Sequence, residues 1–100
     1  MDLVKWMERH IWWSMQTFGK GRRTHGLCAH IATELEEIKD NPTDIMEWID
    51  VIILALDGAW RAGYTAEEVV SALQKKQEVN FLRKYPVPES EDMPSFHEKA

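Results

Sequence analysis

Carboxylates spaced three residues apart occur twice in close succession, as Glu34-Leu-Glu36-Glu37 and as Glu47-Trp-Ile-Asp50. On a helix, residues at that spacing share a face, with Cβ atoms about 5–6 Å apart. Only Lys39-Asp-Asn-Pro-Thr-Asp-Ile-Met46 and Ile38 separate the two pairs. Two helices joined that closely can oppose their acidic faces at an axial separation of about 8–10 Å. Four converging carboxylates repel one another and raise each other's pKa unless a cation lies between them. Ligands that are all oxygen favour a hard ion, and Mg²⁺ or Mn²⁺ suits a site that shares coordination with substrate phosphates. Glu34, Glu37, Glu47 and Asp50 are therefore the candidate metal ligands and catalytic acids. Ordinary surface salt bridges explain most isolated pairs of this kind. A di-iron bundle is the other rival, but it calls for Glu-x-x-His repeats. Here His30 precedes Glu34 by four, and no histidine follows either acid pair at the required spacing.

Proline and glycine divide the chain into four helical segments. The first is expected over residues 2–17, followed by a break at 18–26 that carries Lys20, Arg22 and Arg23 among three glycines. The second is expected over 27–39, with Ile31, Leu35 and Ile38 at i, i+4 and i+7. Pro42 cannot continue that helix, and Thr43 is able to cap the next. The third runs over 44–62 and stops at Gly63, a residue suited to a left-handed terminus. It is apolar almost all round, so it reads as a central buried helix in which Glu47, Asp50 and Asp57 each need a partner. Glu36 on the second helix can simply face water. Thr65-Ala-Glu-Glu68 has capping-box spacing and opens a fourth helix that reaches Lys84. The expected organisation is one all-α domain, residues 1–86, and a tail at 87–100 rich in proline and acid. No strand signal or internal repeat occurs.

The 100 residues suffice for one core but not two. A net charge of −5 disfavours a general nucleic-acid binder, whose footprint is basic. It does not disfavour a nucleotide substrate, because a bound cation reverses the local sign. Cys28 is the single cysteine, so no internal disulfide forms. The longest apolar run, from Val51 to Leu56, is too short to span a bilayer, and the charged N-terminal stretch is not a signal peptide. A cytoplasmic location is the expectation.

Lys76, Asn80 and Arg83 fall at i, i+4 and i+7 on the fourth helix, a polar stripe able to bind phosphate oxygens or simply to face solvent. The 18–26 segment with Arg22, ahead of a helix N-terminus, is a possible anion site but lacks P-loop spacing. His30 lies one turn before Glu34 and can orient it, touch substrate or pack structurally. Trp6, Trp13 and Phe18 read as core aromatics or as a base-stacking surface.

The acid pairs, with Thr17-Phe-Gly-Lys-Gly-Arg-Arg23, His30-Ile31, the run from Glu47 through Gly63, and Lys76 through Pro86, resemble the MazG-like all-α nucleotide pyrophosphohydrolases. Within that superfamily the likeness is to the dATP/dGTP diphosphohydrolase branch, which includes phage enzymes of the MazZ type. It covers residues 8–86. The gap between acid pairs is shorter than in many MazG-like proteins, which fits this branch. The resemblance implies a four-helix bundle assembled as a homodimer or a dimer of dimers (a homotetramer), with Mg²⁺ on the four acids. It also implies cleavage of a purine nucleoside triphosphate, dATP or dGTP/GTP, between the α- and β-phosphates. Lys76, Asn80, Arg83, Arg22 and His30 are then the expected substrate contacts, and Glu37 or Glu34 the expected base. The alternative is a non-enzymatic helical interaction module.

Overall fold

The computed structural model describes residues 1–98 and is all-α, with α1 (Leu3–Phe18), α2 (Thr24–Asp40), α3 (Ile45–Arg61) and α4 (Ala66–Leu82). The last two residues of the expected tail, Lys99 and Ala100, lie outside the described range. The four-helix, all-α class expected from the sequence is the one observed. The chain forms two compact units, Met1–Val70 and Ser71–Ala100, with α4 contributing to both.

Three of the four helix starts have a side-chain cap. Asp2 caps α1 by accepting from the backbone N–H of Lys5 at 3.1 Å. The α3 cap is Asp44, which accepts from Met46 N at 3.0 Å, rather than Thr43. A carboxylate there also faces the positive end of the helix dipole, an advantage a hydroxyl lacks. At α4 the capping box closes reciprocally: Glu68 N donates to Thr65 Oγ1 at 3.1 Å, and Thr65 N donates to Glu68 Oε1 at 3.0 Å. α2 starts at Thr24, three residues earlier than expected, and has no side-chain cap. Gly26 thus sits inside the first turn, where a glycine costs little because those N–H groups have no helical acceptor anyway. Gly63, at φ +116°, follows α3 and donates to Trp60 O at 3.0 Å.

In the first unit, Met7, Ala66, Val69 and Val70 form the buried centre, with Val4, Trp6, Ile11, Leu56, Ala59 and Trp60 packed against it. α3 contacts both α1 and α2, and Leu27 and Ile38 are the buried apolar residues of α2. One expectation for α3 is corrected. It is not enclosed: its only buried residues are Asp57 and Arg61, while Ile45, Met46, Trp48 and Ile52 are more than half exposed. α1, α2 and the start of α4 cover part of its circumference, and these four residues lie on the part left open.

In the second unit, the stretch after Leu82 folds on itself. Ser95 Oγ donates to Pro86 O, Glu98 N donates to Lys84 O, and the Tyr85 and His97 rings meet edge-on at 6.2 Å. No helix among the described residues is long and apolar enough to cross a membrane.

Candidate functional site

The connection between α2 and α3 is what brings the acids together. Asn41 N donates to Glu37 O and Ile38 O, Asp44 N donates to Asn41 O, and the Trp48 indole donates to Pro42 O at 2.9 Å. This closed turn places Glu37 near the end of α2 beside Glu47 in the first turn of α3. Glu34, one turn back from Glu37, completes a cluster in which one carboxylate oxygen from each of Glu34, Glu37 and Glu47 lies within 4.8 Å of the others. Asp50 is exposed and stands outside that trio, yet its charge acts on Glu34.

The electrostatics of the trio are unfavourable as they stand. Glu34 is held above its ordinary value, first by a hydrogen bond with the Glu37 carboxyl, then by burial and by the charges of Glu37 and Asp50. His30 pulls the other way, its Nε2 standing 3.1 Å from Glu34 Oε1. Glu47 is also raised, first by burial, then by a hydrogen bond with Glu37 and the charges of Glu37, Asp44 and Glu34. Glu37 lies in the last turn of α2, where the helix dipole repels a carboxylate. Glu34 Oε2 and Glu47 Oε2 are buried and have no hydrogen-bond partner. Orphaned buried carboxylate oxygens call for a partner the protein itself does not supply. A hard divalent cation fits the requirement on three counts: charge, all-oxygen donors and mutual reach.

The other expected contacts are distributed differently. Arg22 is exposed on the loop between α1 and α2, residues 19–23, and is not part of the cluster. Lys76, Asn80 and Arg83 belong to the second unit. Lys76 is exposed, the other two are half-buried, and Asn80 Oδ1 accepts from the Tyr85 hydroxyl at 3.2 Å. Glu36 faces water and pairs with Lys39, an exposed bridge worth little. Trp6 lies parallel to His10 at 5.5 Å, and Trp13 and Phe18, each half exposed, meet edge-on at 5.7 Å.

A second polar cluster went unread in the sequence apart from Asp57 itself. The five N–H donors of a guanidinium are all used at Arg61. Its Nε donates to Asp57 Oδ2 at 2.8 Å, and Nη1 donates to the carbonyls of Gly19 and Gly21 at 2.8 and 2.7 Å. Nη2 donates to Ser14 O and Ser14 Oγ at 3.3 and 2.8 Å. Asp57 Oδ1 accepts from Trp60 Nε1 at 2.7 Å and from His10 Nε2 at 2.9 Å. A carboxylate oxygen only accepts, so His10 carries its proton on Nε2. Burial works against the Asp57 charge, but hydrogen bonds from Ser14, Trp60, Arg61 and His10 outweigh it and bring its pKa down to about 2. The available signal was Asp57 and Arg61 at i, i+4 on an apolar helix; no local pattern pointed to His10 or Ser14.

The fold and the cluster define an all-α protein whose candidate site is built from glutamates on two neighbouring helices. The model of the dATP/dGTP pyrophosphohydrolase family matches residues 6–100, and the chain belongs to that family. The resemblance read from its motifs therefore stands, and the family is one of nucleotide pyrophosphohydrolases. No curated protein and no solved structure matches the chain.

Proposed function

We propose that this chain hydrolyses a purine nucleoside triphosphate (dATP, dGTP or GTP) to the monophosphate and pyrophosphate in a reaction that depends on Mg²⁺ or Mn²⁺. The observation that carries the metal dependence is the glutamate trio with two buried, unpartnered oxygens. Glu34, Glu37 and Glu47 would hold the ion, and Asp50 has the charge and proximity to join them. When bound, such a cation neutralises phosphate charge and makes a coordinated water more acidic. Glu34, whose carboxyl is already prone to keep a proton, and Glu37 beside it are the candidates to accept one from the attacking water. His30 holds Glu34 Oε1 in place.

Phosphate oxygens need cationic and amide donors. In this reading the exposed loop with Arg22 supplies them in the first unit. The uncovered apolar residues of α3, Ile45, Met46, Trp48 and Ile52, support assembly with further copies of the chain as a dimer or dimer of dimers.

The test is product analysis after incubation with each dNTP and with GTP, with Mg²⁺ and with chelator. Metal-dependent release of monophosphate and pyrophosphate is expected, fastest with a purine nucleotide. Release of inorganic phosphate would overturn the cleavage position. Absence of turnover with every nucleotide would leave a non-enzymatic interaction module as the better reading.

A further inference from the structure

Arg61 is completely buried, and its charge is matched by Asp57 at its side. Such a pair is no better for stability than apolar side chains of the same volume. Its geometry does something an apolar side chain cannot. Two of the five N–H groups leave the helical core and hold the carbonyls of Gly19 and Gly21, on either side of Lys20. The loop between α1 and α2 is held at its flanks too. Gly19 N donates to Met15 O, and Leu27 N donates to Arg23 O. The Arg23 guanidinium sits over the Phe18 ring at 4.8 Å. Lys20, Arg22 and Arg23 are exposed. The two inward carbonyls are the loop's negative ends of the peptide dipoles, so anchoring them inside leaves a cationic outer face.

We propose that Arg61 is a positioning residue: by binding the Gly19 and Gly21 carbonyls it fixes the loop that presents Lys20, Arg22 and Arg23 to the substrate's phosphates. This rests on the triphosphate reading above, with Arg61 acting through the loop and not touching the nucleotide. Ser14 gives the internal control, because it satisfies the same guanidinium without touching the loop carbonyls.

Three variants separate positioning from mere stability. Arg61→Lys keeps the charge beside Asp57 but loses the fork that reaches both carbonyls. Gly19→Ala disturbs the loop without entering the core, since φ +85° with ψ −177° is a conformation for glycine and the space around it is open. Ser14→Ala removes a core hydroxyl that accepts from Arg61 Nη2 and hydrogen-bonds Asp57, and it leaves the contacts to both loop carbonyls in place. Binding of inorganic tripolyphosphate with Mg²⁺ by calorimetry, tryptic cleavage after Lys20, Arg22 and Arg23, and steady-state kinetics are the readouts. Loss of charge-assisted hydrogen bonds predicts about tenfold or more weaker tripolyphosphate binding and as large a rise in loop cleavage for Arg61→Lys and Gly19→Ala. KM should rise in parallel while kcat changes little, and Ser14→Ala should lower the melting temperature without moving binding or cleavage.

An equal loss of binding in Ser14→Ala would reduce Arg61 to a structural role and overturn the proposal. So would unchanged binding and cleavage in Gly19→Ala, which decides the matter even if Arg61→Lys does not fold. If the unsubstituted protein turns over no nucleotide but binds tripolyphosphate with this pattern, the reaction assignment fails and the positioning role stands. If it binds no tripolyphosphate, the positioning role fails whatever the turnover.

Discussion

Asp57 and Glu47 are acids on the same helix, and neutralising them should have opposite consequences. Asp57→Asn leaves the buried Arg61 guanidinium without its counter-charge and turns an amide N–H₂ toward either the Arg61 donor or the Trp60 and His10 donors. Breaking a buried pair by removing one partner costs about 3–5 kcal/mol. For a domain of this size each kcal/mol moves Tm by about 4–8 °C, so a fall of about 12–40 °C is expected. Glu47→Gln removes a charge that has only other carboxylates near it, so the metal-free protein should melt at an unchanged or higher temperature. The same variant should lose the stabilisation by Mg²⁺, which in the unsubstituted protein reaches about 2.7 kcal/mol at a hundred times Kd. Calorimetric melting of both variants, with chelator and with Mg²⁺, reads all of this. A fall below about 1 kcal/mol for Asp57→Asn would refute the ion-pair account, since the median exposed pair is worth that much. A large metal-free fall for Glu47→Gln would refute the view of the glutamate trio as an unsatisfied cluster.

The raised pKa values of Glu34 and Glu47 mean that the folded, metal-free chain holds more protons than the unfolded chain above the ordinary value of 4.5. Their contribution is therefore favourable at low pH and lost as pH rises through the raised values, so chelator-treated protein should lose Tm as pH climbs above 4.5, by an amount that saturating Mg²⁺ abolishes. Asp57 has the opposite sign: its stabilisation is present above 3.8 and disappears as pH falls toward about 2, visible as an acid transition that Asp57→Asn removes. Ile52→Glu, on the uncovered side of α3, should reduce the mass measured by light scattering if that face joins copies of the chain, and an unchanged mass would exclude it. Thr65→Ala opens the capping box at α4 and should cost about 1 kcal/mol in denaturant melts without altering Mg²⁺ binding.

Much of the architecture was legible because it depends on short-range chemistry. Pro42, Gly63 and the Thr65/Glu68 pair mark helix ends through backbone geometry and hydrogen bonds that span only a few residues. The neighbouring acids on α2 and α3 were legible for the same reason, since helical periodicity and one tight turn leave few ways to arrange Glu34, Glu37 and Glu47. The limits fall where a choice depends on exact position or on distant partners. Asp44 displaced Thr43 as the α3 cap, and α2 began at Thr24, because adjacent capping solutions differ by little energy. Asp50 shares the spacing of a ligand but stands outside the trio, as i, i+3 spacing fixes a face and not an orientation.

The Arg61 network shows the limit most clearly. Asp57 was recognisable as an acid needing a partner on an apolar helix, and Arg61 one turn on was the local candidate. His10, Ser14 and the carbonyls of Gly19 and Gly21 lie about forty or more positions away along the chain. The sequence by itself determined that the chain is helical, where its turns fall and that Glu34, Glu37 and Glu47 come together near one of them, because each follows from interactions within a turn or two. Only the tertiary structure decided which buried charges are satisfied and which are left wanting, because that depends on donors and carbonyls delivered by helices that meet only once the chain has folded.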